Sequence, residues 1–238
     1  VIYIQSGLHK LSGAFLDSVW EHMILQRFFG FSREVIQNIY LHYSGLLVGL
    51  LEFGAGVGLL LFKQKKTVAL LLIGMHLFIL LVLSPIGINH NSIVWPWNAA
   101  MIVFLYVLFC TKPQSHIQWR GLVLGYNKIH FLYLGILPFF CFLGWYDNFL
   151  SFNVYSGTAM RLEICIENPE KVAKYKPYFQ KKGTLCTSEA SIRLNNWSLK
   201  EMNIIAYPEE RVFLSIIKKF KERNRCNKRK LRHVQKND

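Results

Sequence analysis

Two apolar runs, residues 38–62 and 67–83, constrain this chain more than any other feature. The first contains one acid, Glu52, and no Lys or Arg. The second contains His76 as its only ionisable residue inside the run. About 20 consecutive apolar residues are needed to cross the hydrocarbon core of a bilayer. A third run, 99–111, becomes just long enough with the Trp95-Pro96-Trp97 segment before it, and a fourth, 129–149, is interrupted by Pro138. The pattern predicts an all-α polytopic membrane bundle of about four complete spanning helices. Composition agrees: 52% of residues are hydrophobic and only 18% charged, where a soluble domain carries about a quarter.

The rest of the chain is polar. Residues 1–150 form the expected transmembrane domain, 151–217 a small α+β C-terminal extension, and 218–238 a basic tail. RLEICIEN, from Arg161, alternates apolar and polar residues as a strand does. KPYFQKKGTLC and SIRLNNW suggest further strands or turns, and a basic amphipathic helix follows Pro208, over about 209–221. The net charge of +14 is concentrated late in the chain. In a membrane protein such charge reads as topology or lipid-surface signal, not as nucleic-acid binding. Asp17 and Glu21 begin a mixed, amphipathic stretch to about Gln37 that reads as lying at the interface, with Trp20 and Phe28-Phe29 suited to that depth. The start, VIYIQSGL, reads as the end of an apolar helix, so a preceding portion is expected. The five cysteines include no CxxC pair, which gives a metal or thioredoxin-type site little support. No Gly-rich phosphate loop and no Ser-His-Asp arrangement is present.

Ionisable groups inside a membrane are costly and mark functional sites by default. Three qualify: Lys10, Glu52 and His76. Gly45, Gly49 and Gly56 share a helix face with Glu52, and small residues let helices approach closely in lipid. Glu52 stands ten residues before Phe62 at the edge of the Lys63–Lys66 loop and His76 ten after Lys66, each at a depth of ~15 Å by helical rise. Antiparallel helices joined by a short loop are neighbours, so the two side chains are expected to face one pocket. The bland alternatives are a helix-packing face with a protonated acid, a hydrogen-bonded core histidine, and a lysine that snorkels to the headgroups. His42, His90, Asn91, Trp95, Trp97 and Asn98 are candidates for lining a ligand pocket. An aromatic belt at the membrane boundary explains the two tryptophans at least as well.

Lys63, Lys65, Lys66, Lys112, Arg120 and Lys128 fall on one side of the bundle, and the 87–98 loop carries no Lys or Arg. The positive-inside rule places the first set in the cytoplasm. Four spans then place Lys10, the His90 loop and the C-terminal part outside it, where Cys165 and Cys186 can pair.

YIQSGLHKL, LLEFGAGVGLLLF and GMHLFIL resemble, in order and spacing over residues 1–109, the membrane domain of the vitamin K-dependent γ-carboxylase family, also called the horizontally transferred transmembrane (HTTM) domain. The Gly-(any)-(any)-Lys-Leu element, Gly7 to Leu11, is the most specific part. The resemblance implies a carbon–carbon lyase chemistry: a reduced quinone of the vitamin K or menaquinol type is deprotonated and oxygenated, and carboxylation follows. It implies that Lys10 is the initiating base, with Glu52 and His76 as the helix acid and membrane histidine. A base lysine must be uncharged, and desolvation favours that form. The large propeptide-binding domain of animal members has no counterpart here, so protein glutamate is not implied as the substrate. No metal is implied. The expected surroundings are the lipid bilayer and a quinone. The competing reading is a non-catalytic subunit that packs against lipid or other membrane subunits. A third reading, a quinone-associated redox module, would need paired cysteines near the quinone.

Overall fold

The computed structural model describes residues 1–111, 125, 127–153, 155–158, 160–166, 169–181, 190–224 and 234–235. The chain is mostly helical and divides into two compact units. The first comprises residues 1–89 and 93–158, the second residues 90–92 and 159–238.

In the first unit, α1 (Ile2–His9) ends at Lys10, and Ser12 then starts a new turn by accepting a hydrogen bond from the Phe15 amide at 3.3 Å. The chain continues through Leu16–Phe28 with π-type hydrogen bonding, burying Leu16, Val19, Met23 and Leu25. Asn38 caps α2 (Ile39–Leu61), its side-chain oxygen accepting from the Tyr40 and Leu41 amides at 2.9 and 3.3 Å. Such a cap satisfies helix-end donors that have no partner within the helix. After a short turn comes α3 (Lys65–Leu83), stopped at Ser84-Pro85, and then α4 (Val94–Phe109). Pro96 lies in the first turn of α4, where a missing N–H costs nothing. A mixed helical segment, Lys128–Leu143, completes the apolar part.

By length and composition, α2 with 23 residues and α3 with 19 can cross a membrane. The other two apolar segments, Val94–Phe109 and Lys128–Leu143, are shorter than 18 residues. Helices α2 and α3 bury an ionisable residue each while turning large apolar side chains outward. In α2, Gly45, Gly49, Glu52 and Gly56 are buried, while Leu51 is 72% exposed; in α3, His76 is buried and Leu71 is 69% exposed. A large apolar surface of this kind suits hydrocarbon, not water.

Close approach positions α1. A Cβ on Gly7 would lie 2.5 Å from the Phe53 nitrogen and 2.8 Å from the Gly49 oxygen, and one on Gly56 would lie 2.7 Å from the Ile4 nitrogen. Helices α1 and α2 therefore meet backbone to backbone, while α3 packs on α2 and α4.

The second unit holds a four-stranded antiparallel sheet in the order β2-β3-β1-β4, with β1 Arg161–Ile166, β2 Gln180–Lys181, β3 Ala190–Arg193 and β4 Val234–Gln235. Leu162, Ile164 and Ile166 alternate along β1 and enter one core with Ile192 of β3, as the period of two requires. SIRLNNW changes from strand to helix midway: α5 (Leu194–Met202) starts directly after β3. The amphipathic helix after Pro208 is present as α6 (Glu210–Asn224), and its Phe213 and Phe220 are buried in the same core. Helix α6 runs through residue 217, and the first unit extends to Thr158. Residues 90–92 belong to the second unit because Asn203, at a left-handed φ of 52°, holds them. Its side chain accepts from the Asn91 amide at 2.9 Å and its carbonyl from the Ser92 amide at 2.7 Å. Cys165 is disulfide-bonded; Cys186 lies outside the described residues.

Candidate functional site

The site is built on α1, where Tyr3, Ser6 and Lys10 recur at intervals of three and four and so share a stripe. Lys10 Nζ donates to Glu52 Oε2 at 2.6 Å and to Ser6 Oγ at 2.6 Å. The lysine side chain is 12% exposed and that of Glu52 5%. An ammonium has three donors, so two are accounted for by these contacts. Lys10 and Glu52 thus form a direct ion pair inside the helical core.

His76 enters the same region from α3. Its Nδ1 lies 2.7 Å from Asn98 Oδ1, and its Nε2 lies 2.9 Å from the Tyr3 hydroxyl. Asn98 Nδ2 donates to the Val94 carbonyl at 2.7 Å, which turns the carboxamide oxygen toward the imidazole. In the neutral ring Nδ1 then carries the hydrogen, and Nε2 accepts from the Tyr3 O–H. Both His76 nitrogens are engaged by protein partners. Glu52 and His76 are both buried, and their partners, Lys10 at the end of α1 and Tyr3 within it, stand seven residues apart.

The lining candidates separate. Asn98 joins the site as the partner of His76. Trp95 uses its indole N–H on the Leu83 carbonyl at 3.0 Å, and Trp97 is 51% exposed. His90 and Asn91 belong to the second unit, where Asn91 Oδ1 accepts from the Ile205 amide at 3.3 Å. His42 pairs through Nδ1 with Glu21 Oε1 at 2.6 Å, and with Asp17 these residues present ligand atoms within 4.8 Å of one another. That is a spacing a cation could bridge, on half-buried and exposed side chains. Sequence reasoning did not single out Tyr3, Gln5, Ser6 and His9. The spacing of Tyr3, Ser6 and Lys10 was a usable signal; a bonded partner for His76 outside its own helix was not.

A quinone-type ligand is testable against these residues. Among the described residues, both amide atoms of Gln5 and Nε2 of His9 are buried without a hydrogen-bond partner. Buried polar groups are nearly always satisfied, so the orphaned atoms of Gln5, five residues before Lys10, and of His9, next to it, fit a ligand bearing hydroxyl or carbonyl oxygens.

Fold and site together define a mostly helical protein with two candidate membrane spans and a buried lysine–carboxylate pair. No family model, curated protein or solved structure matches the chain.

Proposed function

We propose that this chain is a multi-pass membrane enzyme that binds a reduced quinone and removes a hydroxyl proton from it at the Lys10–Glu52 pair. The observation that carries the reading is that pair: an amine and a carboxyl 2.6 Å apart, both largely shielded from water. Bound there, a reduced quinone supplies two reducing electrons and an acidic hydroxyl, which a quinol oxygenation or a coupled carboxylation requires. Lys10 passes its proton to Glu52 across the 2.6 Å contact and becomes a neutral amine. Lys10 Nζ then accepts one proton from a bound hydroxyl. The pair ends as ammonium and carboxylic acid, with one proton gained. Ser6 holds the amine in place, and Asn98 and His76 hold the Tyr3 hydroxyl.

The shorter apolar helices, Val94–Phe109 and Lys128–Leu143, complete four spans in this reading. The C-terminal unit lies outside the cytoplasm. The lysine-rich loops support that orientation, and so does the disulfide at Cys165, because such bonds persist in oxidising compartments.

The test is oxidation of a reduced naphthoquinone by the purified chain, followed optically, together with a search for quinone in its lipid extract. Wild type is expected to turn over. Lys10→Met combined with Glu52→Leu, which removes both charges, is expected to fold and to be inactive. Wild-type rates in Lys10→Met would remove Lys10 as the base. Absence of turnover and of bound quinone in wild type would leave the non-catalytic membrane subunit as the better reading.

A further inference from the structure

The second unit holds a groove with a volume of about 500 Å³, which the proton step at Lys10 does not use. Its first wall is one stripe of α5. Leu194, Trp197, Ser198, Glu201 and Met202 recur at intervals of three and four, and all of them line the groove. Asn203 ends that helix at a left-handed φ of 52°. Residues 204–207 form the second wall, and Ser198 pins them by donating its hydroxyl to the Ile204 carbonyl at 2.6 Å. Ile216 of α6 supplies the third.

The lining restricts the occupant. The volume is that of a small-molecule site. The Ser198 donor is already used, so Glu201 and Tyr207 are the polar exceptions in a hydrocarbon wall. Such a wall suits an apolar chain, not a sugar or a nucleotide. Met202 is 61% exposed, and its flexible thioether adapts to apolar surfaces. The charge nearby has one dominant sign. Helix α6 carries Arg211, Lys218, Lys219, Lys221 and Arg223 against Glu210 and Glu222. Lys219 is exposed and stands one turn after Ile216, on the same side of the helix. An anionic group complements that side, whereas Glu201 repels it from the α5 side.

We propose that this groove takes one acyl chain of an anionic phospholipid, with the headgroup at Lys219. The bilayer is the source. Asn203, which borders the groove, is bonded to Asn91 and Ser92, and Ser92 precedes the apolar helix α4 by two residues. Basic side chains near a membrane surface attract anionic lipids. The proposal rests on the membrane reading of the chain but not on the quinol chemistry, which uses none of these residues.

The test uses the full chain in neutral maltoside micelles, titrated with phosphatidylglycerol or phosphatidylcholine that carries a dibrominated acyl chain. Bromine quenches indole fluorescence at short range. The chain has six tryptophans, and subtracting the signal of Trp197→Phe isolates the one in the groove. That variant keeps a ring against Tyr175 and Phe220. Phosphatidylglycerol is expected to quench Trp197 saturably, at about fivefold lower concentration than phosphatidylcholine, the effect of one basic side chain near an anionic headgroup. Lys219→Glu is expected to abolish that preference. Met202→Glu, at an exposed position, is expected to weaken quenching by both lipids and to keep the wild-type circular dichroism spectrum. Equal responses to the two headgroups in wild type would overturn the proposal, and so would a preference that survives Lys219→Glu. A Trp197 left unquenched while the other tryptophans respond would do the same, and would leave the groove to an apolar protein segment. No outcome depends on turnover, so failure of the naphthoquinone assay would leave this result standing.

Discussion

The Lys10–Glu52 contact is a quantitative claim about burial. At 2.6 Å the attraction between unit charges is about 6 kcal/mol for an effective dielectric near 20. Most of that is offset by the cost of taking both charges out of water. The consequence is an asymmetry. Removing one partner leaves a buried charge with no counterion, whereas removing both leaves an apolar contact. Lys10→Met and Glu52→Leu are each expected to destabilise the first unit by about 2–3 kcal/mol, near the lower end for a broken buried pair because the orphan can neutralise by exchanging a proton. The double variant is expected to lie within about 1 kcal/mol of wild type, which gives a coupling of about 5 kcal/mol and at least about 3 kcal/mol. Reversible unfolding of all four proteins in mixed micelles, read by circular dichroism, measures the cycle. Additive effects, with coupling below about 0.5 kcal/mol, would mean that the two side chains behave as a solvated pair. The site would then lose its central feature.

Three other outcomes follow from the packing. Gly7→Ala is expected to cost about 1–3 kcal/mol or more, because its Cβ would meet backbone atoms of Phe53 and Gly49 that cannot turn aside, whereas Gly13→Ala, with open space around it, should stay within about 0.5 kcal/mol in the same unfolding assay. His76→Phe is expected to cost about 2–4 kcal/mol by leaving the Tyr3 hydroxyl and Asn98 Oδ1 unpaired; adding Tyr3→Phe should restore part of it, and a further loss would argue against the Tyr3–His76 bond. Cys165→Ala is expected to lower the stability of the second unit by about 2–4 kcal/mol. In the intact protein, Cys165 should resist alkylation until a reductant is added.

What could be read from the sequence was governed by range. The α2 and α3 helices announce themselves through apolar runs and a single stop at Pro85, and the face shared by Glu52 and Gly45, Gly49 and Gly56 follows from helical period alone. All four of those residues are buried. The strand at Arg161–Ile166 was legible from its alternation. Asn98 was legible as a polar residue in an apolar setting, but not as the partner of His76, which is 22 residues away. The 90–92 segment was harder still. It reads as a loop between two helices, yet its fold is decided by Asn203 more than 100 residues later. No local pattern carries that information. The turn from strand to helix at Leu194 was missed for the opposite reason: β3 is only four residues long, too short to show a period.

The same reasoning explains why so much polarity gathers on α1. A long apolar helix can carry one ionisable residue at mid-depth, but the residue needs a partner, because an isolated charge in hydrocarbon is costly. Helices α2 and α3 carry one such residue each, Glu52 and His76, and neither is bonded to the other in the described contacts. Helix α1 supplies a bond to both, Lys10 for Glu52 and Tyr3 for His76. It can do so only if its backbone comes close enough for short side-chain paths. Gly7 against Phe53, and Gly56 against Ile4, remove the Cβ atoms that would hold the helices apart. The small residues and the charged residues are therefore one device. The glycines set the separation of the helices, and that separation brings the amine within 2.6 Å of the carboxyl. A substitution that widens the gap at Gly7 acts on the proton-handling pair without touching either of its members.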